Sequence, residues 1–281
     1  MIITCKPSKS KNPRPPRAKR MTICIGILAH DGIVIAADAE ESDSYFKRSA
    51  QKLMTWHTMR NADGQPAKSA ACVIAGAGDG GFIDAFTAEF TSGLKSDWAL
   101  GDFETYAQKT LESFYGAHVR PLLKADPNAD FSVLVGVYFG WVTRLYKSYK
   151  TTLSRVQAAT AAIGIGQEYA FRLMDEYPIT DAARTELIAA AVVSGTKDCI
   201  AGCGKYTDIV TIHNALIVPD DAHGSRLEHP PSLISRPHSD KIARWENVFK
   251  TVWTQRQRKL SEELIEEEIR QSDSQKSKGQ P

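Results

Sequence analysis

One carboxylate, Asp38, closes the apolar run "DGIVIAAD" that begins at Asp31. A carboxylate ending a strand of this kind is costly to bury unless a positive group meets it. The nearest cation downstream that also leads into a strand is Lys52, in "AQKLMTW". Lys47 and Arg48 are alternatives, but they stand in the polar connection "SDSYFKRSA". Cys199 and Cys203 have the spacing of half a zinc site. No second Cys or His pair follows at ligand spacing, so they read as small buried apolar residues, and no metal or cofactor is expected.

The elements that must position Asp38 and Lys52 are legible from period and turn chemistry. Thr22 to Leu28 and Ile33 to Asp38 are β-rich and joined by "AHDG", an Asp-Gly hairpin signal. Both segments are apolar on both faces, as in a sheet covered on its two sides. A further strand, "ACVIAG" (Ala71 to Gly76), runs into the glycine-rich "GAGDGG". Helical periodicity follows over Phe82 to Leu94 and Phe103 to Leu123. Phe131 to Tyr149 reads as a hairpin turning near Gly140, and "AAIGIGQEYAFRLMDEY" as a strand end, a glycine turn and a helix. "ITDAARTELIAAAVVSG" is a helix with Thr180 as N-cap, and "YTDIVTIHNALIV" returns to strand. Strands and helices thus alternate in blocks, which suits two packed sheets between helix layers, an α+β class.

At 281 residues, the chain fits one large domain or one domain with tails. A net charge of +2 gives no reason to expect nucleic acid, and no window reaches the roughly 18 apolar residues that span a bilayer. Five cysteines without a disulfide-like spacing suit a reducing cytoplasm. Residues 1–21 are basic and proline-rich, and read as a disordered leader, a propeptide or an upstream mis-start, with translation from Met21 preferred. The expected main domain spans 22–220. A C-terminal extension over 221–281 then carries a helix at about 240–271, packed on its own domain or a neighbour, and a disordered tail.

The ordered set Thr22, Gly26, "DGIVIAAD", "KLM" with Lys52, and "IAGAGDG" resembles the proteasome β-subunits and their bacterial two-ring protease relatives. These are threonine proteases of the N-terminal-nucleophile (Ntn) hydrolase superfamily. The likeness covers roughly residues 22–215 and is strongest over 22–80. The Thr-to-Asp spacing matches the family, while Lys52 lies slightly nearer, as after a short deletion in the polar loop. The resemblance implies a four-layer αββα sandwich of two mainly antiparallel sheets.

It also implies roles for particular residues. Thr22 would be the nucleophile, with its own α-amine as general base once it is the first residue. Such an amine has an ordinary pKa of about 7.7–8.0, close to working pH, and a neighbouring ammonium lowers it. Lys52 suits that task, Asp38 would hold Lys52, and the Gly76 N–H would face the developing oxyanion, its missing side chain letting substrate approach. Asp198 would lie near the Thr22 amine. The implied partners are an unfolded polypeptide or peptide substrate, copies of the chain in stacked rings, and an ATP-dependent unfoldase. No nucleic acid or membrane is implied.

Two positions depart from the family pattern. "GIG" puts Ile165 between glycines where the family carries Ser, and "DCIAG" puts Ala201 where it carries a second hydroxyl. Those hydroxyls help to order the amine and its proton. Beside the threonine peptidase stand two other readings: a non-catalytic structural subunit of such an assembly, and an Ntn amidohydrolase acting on a small amide.

Overall fold

The computed structural model describes residues 22–42, 47–49, 52–58, 70–126, 129–139, 141–200, 203–204, 206–214, 233–252 and 254–255. The leader over 1–21, the whole of 215–232 and the tail beyond 255 lie outside the described residues.

The described residues open with the expected hairpin. Strands β1 (Ile23–Ala29) and β2 (Gly32–Asp38) pair antiparallel around the Asp-Gly turn, with Ile25 opposite Ala36. Every residue of β2 is buried, as its two-faced apolar pattern requires. Two short strands, β3 (Glu40–Ser42) and β4 (Lys47–Ser49), form a small ladder of their own before β5 (Leu53–Thr58) and β6 (Ala70–Gly78). Helices α1 (Gly80–Ser92) and α2 (Leu100–Phe114) follow, the latter running into a π-turn over Tyr115–Val119.

Strands β7 (Phe131–Phe139), β8 (Val142–Tyr149), β9 (Thr152–Arg155) and β10 (Thr160–Gly164) come next. Helices α3 (Gln167–Met174) and α4 (Ala182–Cys199) then lead to β11 (Thr207–His213) and β12 (Ile234–Ser235). A fifth helix, α5, covers residues 239–252.

The long strands form two antiparallel sheets, ordered β10-β1-β2-β11-β12 and β5-β6-β7-β8-β9. Three apolar cores hold them. Phe86, Phe90, Phe103 and Leu111 of α1 and α2 pack on Ile74, Val133 and Phe139 of the second sheet. Ile33, Ile35 and Val210 of the first sheet meet Val73, Leu134 and Leu145 of the second. On the far face of the first sheet, Ile23, Ile25 and Ile209 pack on Leu173, Ala189 and Val193 of α3 and α4. Ile242 and Trp245 of α5 join this last core, so the extension helix packs on its own chain.

The α4 N-cap differs from expectation. Asp181, not Thr180, holds the capping position with extended φ and ψ, and its carboxylate accepts from the Arg184 N–H at 2.9 Å. An ionised acceptor at a helix N-terminus serves both the free N–H and the positive dipole end, so it outcompetes the adjacent hydroxyl. The strand after Lys52 is also less apolar than expected. β5 is an edge strand whose residues alternate between buried, half-buried and exposed positions. No helix among the described residues is long and apolar enough to cross a membrane.

Candidate active site

Asp38 is the last residue of β2 and is 0% exposed. A carboxylate so placed must spend both oxygens on donors. Its Oδ1 accepts from the Ile23 N–H at 3.0 Å and from Lys52 Nζ at 2.9 Å. Its Oδ2 accepts from the Gly204 N–H at 2.5 Å. Lys47 and Arg48, the other cations considered, stand in β4 and their side chains lie outside the described residues.

Lys52 stands just before β5, with its side chain only 10% exposed. Its Nζ also donates to Thr22 Oγ1 at 2.9 Å. A single ammonium therefore bridges a buried carboxylate and a threonine hydroxyl. Thr22 precedes β1, is 6% exposed, and is held through its carbonyl, which accepts from the Ile165 N–H at 3.0 Å. This contact explains the glycine at 164. Gly164 has φ +98° and lies directly over the Thr22 carbonyl, where a Cβ would overlap the oxygen. Thr22, Asp38 and Lys52 thus come together from three segments, the starts of β1 and β5 and the end of β2.

Gly76 lies one register step away. Leu53 pairs with Ala75, so the step before it puts Lys52 opposite Gly76. The Gly76 carbonyl accepts from Cys24 Sγ at 3.3 Å. The space that a Cβ would take at Gly76 is filled by Ile83 of α1. Its missing side chain therefore lets a helix pack, rather than clearing a path for substrate as expected from the sequence.

Asp198 is directed elsewhere. At the C-terminal end of α4 its half-exposed carboxylate pairs with Lys250 Nζ of α5 at 3.2 Å. Ile165 is 48% exposed and brings a backbone N–H, not a hydroxyl, to Thr22. Ala201 lies outside the described residues.

Three further residues border the site. Gly204 completes the Asp38 carboxylate, and Cys24 and Cys203 lie within electrostatic reach of Asp38 and Lys52. Burial pushes the Cys203 thiol up to about 11, with Asp38 adding to the rise and Lys52 and Lys197 opposing it. Burial likewise pushes the Cys24 thiol far upward. Neither cysteine is a ready nucleophile at neutral pH. Among the described residues no cluster of His, Cys, Asp and Glu could hold a metal ion.

No protein-family profile matches the chain, and no curated protein matches it. Solved structures do. A structure described as the helical assembly of the Anbu complex from Pseudomonas aeruginosa superposes with a TM-score of 0.65 at 16% identity, over 86% of this chain and 96% of that one. Anbu (ancestral beta-subunit) from Yersinia bercovieri gives 0.61 at 11% identity, over 83% and 95% of the two chains. Anbu from Hyphomicrobium sp. strain MC1 gives 0.56 at 14% identity, over 83% and 95%. What is shared is the fold. These likenesses correct the resemblance drawn from the motifs: the matching chains are Anbu proteins, and neither a profile nor a curated relative links this chain to the proteasome β-subunits or the two-ring proteases. In this chain "DGIVIAAD" forms the turn into β2 and β2 itself, and "IAGAGDG" the end of β6 and its turn into α1.

Proposed function

We propose that the chain is a self-assembling subunit of Anbu-like fold with an amide-hydrolysing site at Thr22. One observation carries the chemistry: Lys52 Nζ lies 2.9 Å from both Thr22 Oγ1 and Asp38 Oδ1. The three apolar cores support an αββα layering.

In this reading Thr22 Oγ1 attacks an amide carbonyl while its proton passes to the freed Thr22 amine. The Lys52 ammonium stabilises the oxygen as charge develops on it, and Asp38 holds Lys52 in place. The amide C–N bond breaks, the leaving amine takes the proton, and an ester remains on Thr22. Water then cleaves that ester and restores the hydroxyl. The Gly76 N–H is the proposed oxyanion donor. Threonine peptidase action on polypeptides is the finer form of this proposal. Asp198 is not given a part in the step, because Lys250 already holds it.

The amine exists only if the Met21–Thr22 bond is broken. Protein expressed from Met21 should lose its methionine, since a small second residue permits removal, and show Thr22 at its terminus by intact mass. It should then cleave fluorogenic amides, and Thr22→Ala should abolish this. Full-length, unprocessed chain as active as the short form would refute the N-terminal nucleophile.

A non-catalytic assembly subunit is the second reading. Ile165 favours it by offering no hydroxyl to the amine, and Asp198 by its ion pair with α5. Failure of a β-lactone to acylate Thr22 in the processed protein would decide for it.

A further inference from the structure

We propose that residues 233–252 form a strap that positions Lys52 and Asp38, with Arg236 and Glu246 as its two clasps. This rests on the hydrolytic reading of Thr22 for its effect on rate, though not for its structural content.

Arg236 reaches between the two sheets. Its Nη2 donates to the Leu53 carbonyl at 3.0 Å, at the residue following Lys52. Its Nε faces Asp208 Oδ1 at 3.5 Å. Asp208 pairs in register with Ala37, the neighbour of Asp38. One guanidinium therefore ties the strand start that carries Lys52 to the strand flanking Asp38.

Glu246 makes the second clasp. Its Oε1 accepts from Lys197 Nζ at 2.7 Å and from Thr207 Oγ1, and Lys197 Nζ also donates to Thr207 Oγ1 at 2.7 Å. Thr207 stands directly opposite Asp38 in the β2–β11 ladder. Lys197 lies in the last turn of α4, and the connection after it supplies the Gly204 N–H to Asp38. Lys250 adds an ion pair to Asp198 in the same turn. The strap is anchored independently of these charges, because Ile242 is buried and Trp245 packs into the helix-side core.

The physical need is plain. Lys52 lies just before an edge strand and Asp38 at the end of a strand, where the ladders stop. A misplacement of about 1 Å at a reacting centre costs about a hundredfold in rate. Groups that pin both strand ends set that distance without touching the substrate, so Arg236 and Glu246 are positioning residues.

The test uses the full processed protein. Arg236→Ala and Glu246→Leu should each lower kcat for a small amide by about tenfold or more, with KM within about twofold. Glu246→Gln keeps an acceptor for Lys197 and Thr207 and should recover most of the loss. Hydrogen exchange should quicken about tenfold at the Ile23 and Gly204 amides, which both donate to Asp38, and stay unchanged at Ile74 in the middle of β6. Wild-type kcat with unchanged exchange at Ile23 and Gly204 would overturn the strap. So would a rise at all three amides, which would mean general loosening. Should the wild-type protein hydrolyse no amide, the hydrolytic reading fails and the exchange pattern alone decides the strap, in the same two directions.

Discussion

Asp38 is more than a partner for Lys52. It also holds the Ile23 and Gly204 N–H groups, so its removal strands two buried donors and a nearly buried ammonium. Breaking such a buried pair costs on the order of 3–5 kcal/mol. Asp38→Ala should therefore lower stability by about that amount in urea unfolding, while Asp38→Asn, which keeps acceptor atoms, should cost less. Activity is better tested with Asp38→Asn and Lys52→Ala. Each should remove hydrolysis, and the double variant should be little worse than either, because residues that act as a unit are not additive. Additive losses in log rate would show that they act separately. Cys203 gives a pH prediction. Its thiol is pushed up to about 11, so its thiolate is scarce at neutral pH and grows about tenfold per pH unit below that value. Alkylation of Cys203, followed by peptide mass, should rise about a hundredfold between pH 7 and 9, whereas an ordinary thiol near 8.5 would already be levelling off.

At the scale of elements, Gly76 and Ile83 make a matched pair across β6 and α1. Gly76→Ala should destabilise by about 1–3 kcal/mol through overpacking, and Ile83→Ala in the same chain should relieve much of it. Additive destabilisation in thermal melts would mean that the two do not share one space. Most elements could be read in advance because their signals are local. The Asp-Gly turn, the two-faced apolar strands and the Phe131 to Tyr149 hairpin needed no tertiary knowledge, and Trp141 at the hairpin tip takes the left-handed φ of 71°. What stayed hidden depends on contacts between distant segments. β12 has two residues and exists only because β11 offers it an edge. The bond to the second oxygen of Asp38 comes from Gly204, far along the chain, and no periodicity announces it. Of the site, Thr22, Asp38 and Lys52 were visible as an ordered set, whereas the diversion of Asp198 to Lys250 required α5 in place.

At the scale of the molecule, the proposed self-assembly has two geometries open to it if its contacts run head to tail. Such contacts close into rings when the rotation closes and run into helices when it does not. The Pseudomonas structure with the same fold is described as a helical assembly, so stacked rings are not carried over to this chain. Sedimentation velocity should show species well above a dimer, growing with concentration if the assembly is open and stopping at one size if it closes. A single monomeric or dimeric species across concentrations would dismiss self-assembly.

The many bonds on Asp38 bear on how related sequences should be interpreted. A carboxylate that folding itself demands will outlast the chemistry it once served. In a lineage that has abandoned hydrolysis, Thr22 is free to drift, while Asp38 remains to hold the Ile23 and Gly204 amides, and Lys52 remains to meet its buried charge. Its presence in a sequence diagnoses an intact sandwich. The threonine, which no buried charge requires, is the better sign of the proposed hydrolytic site.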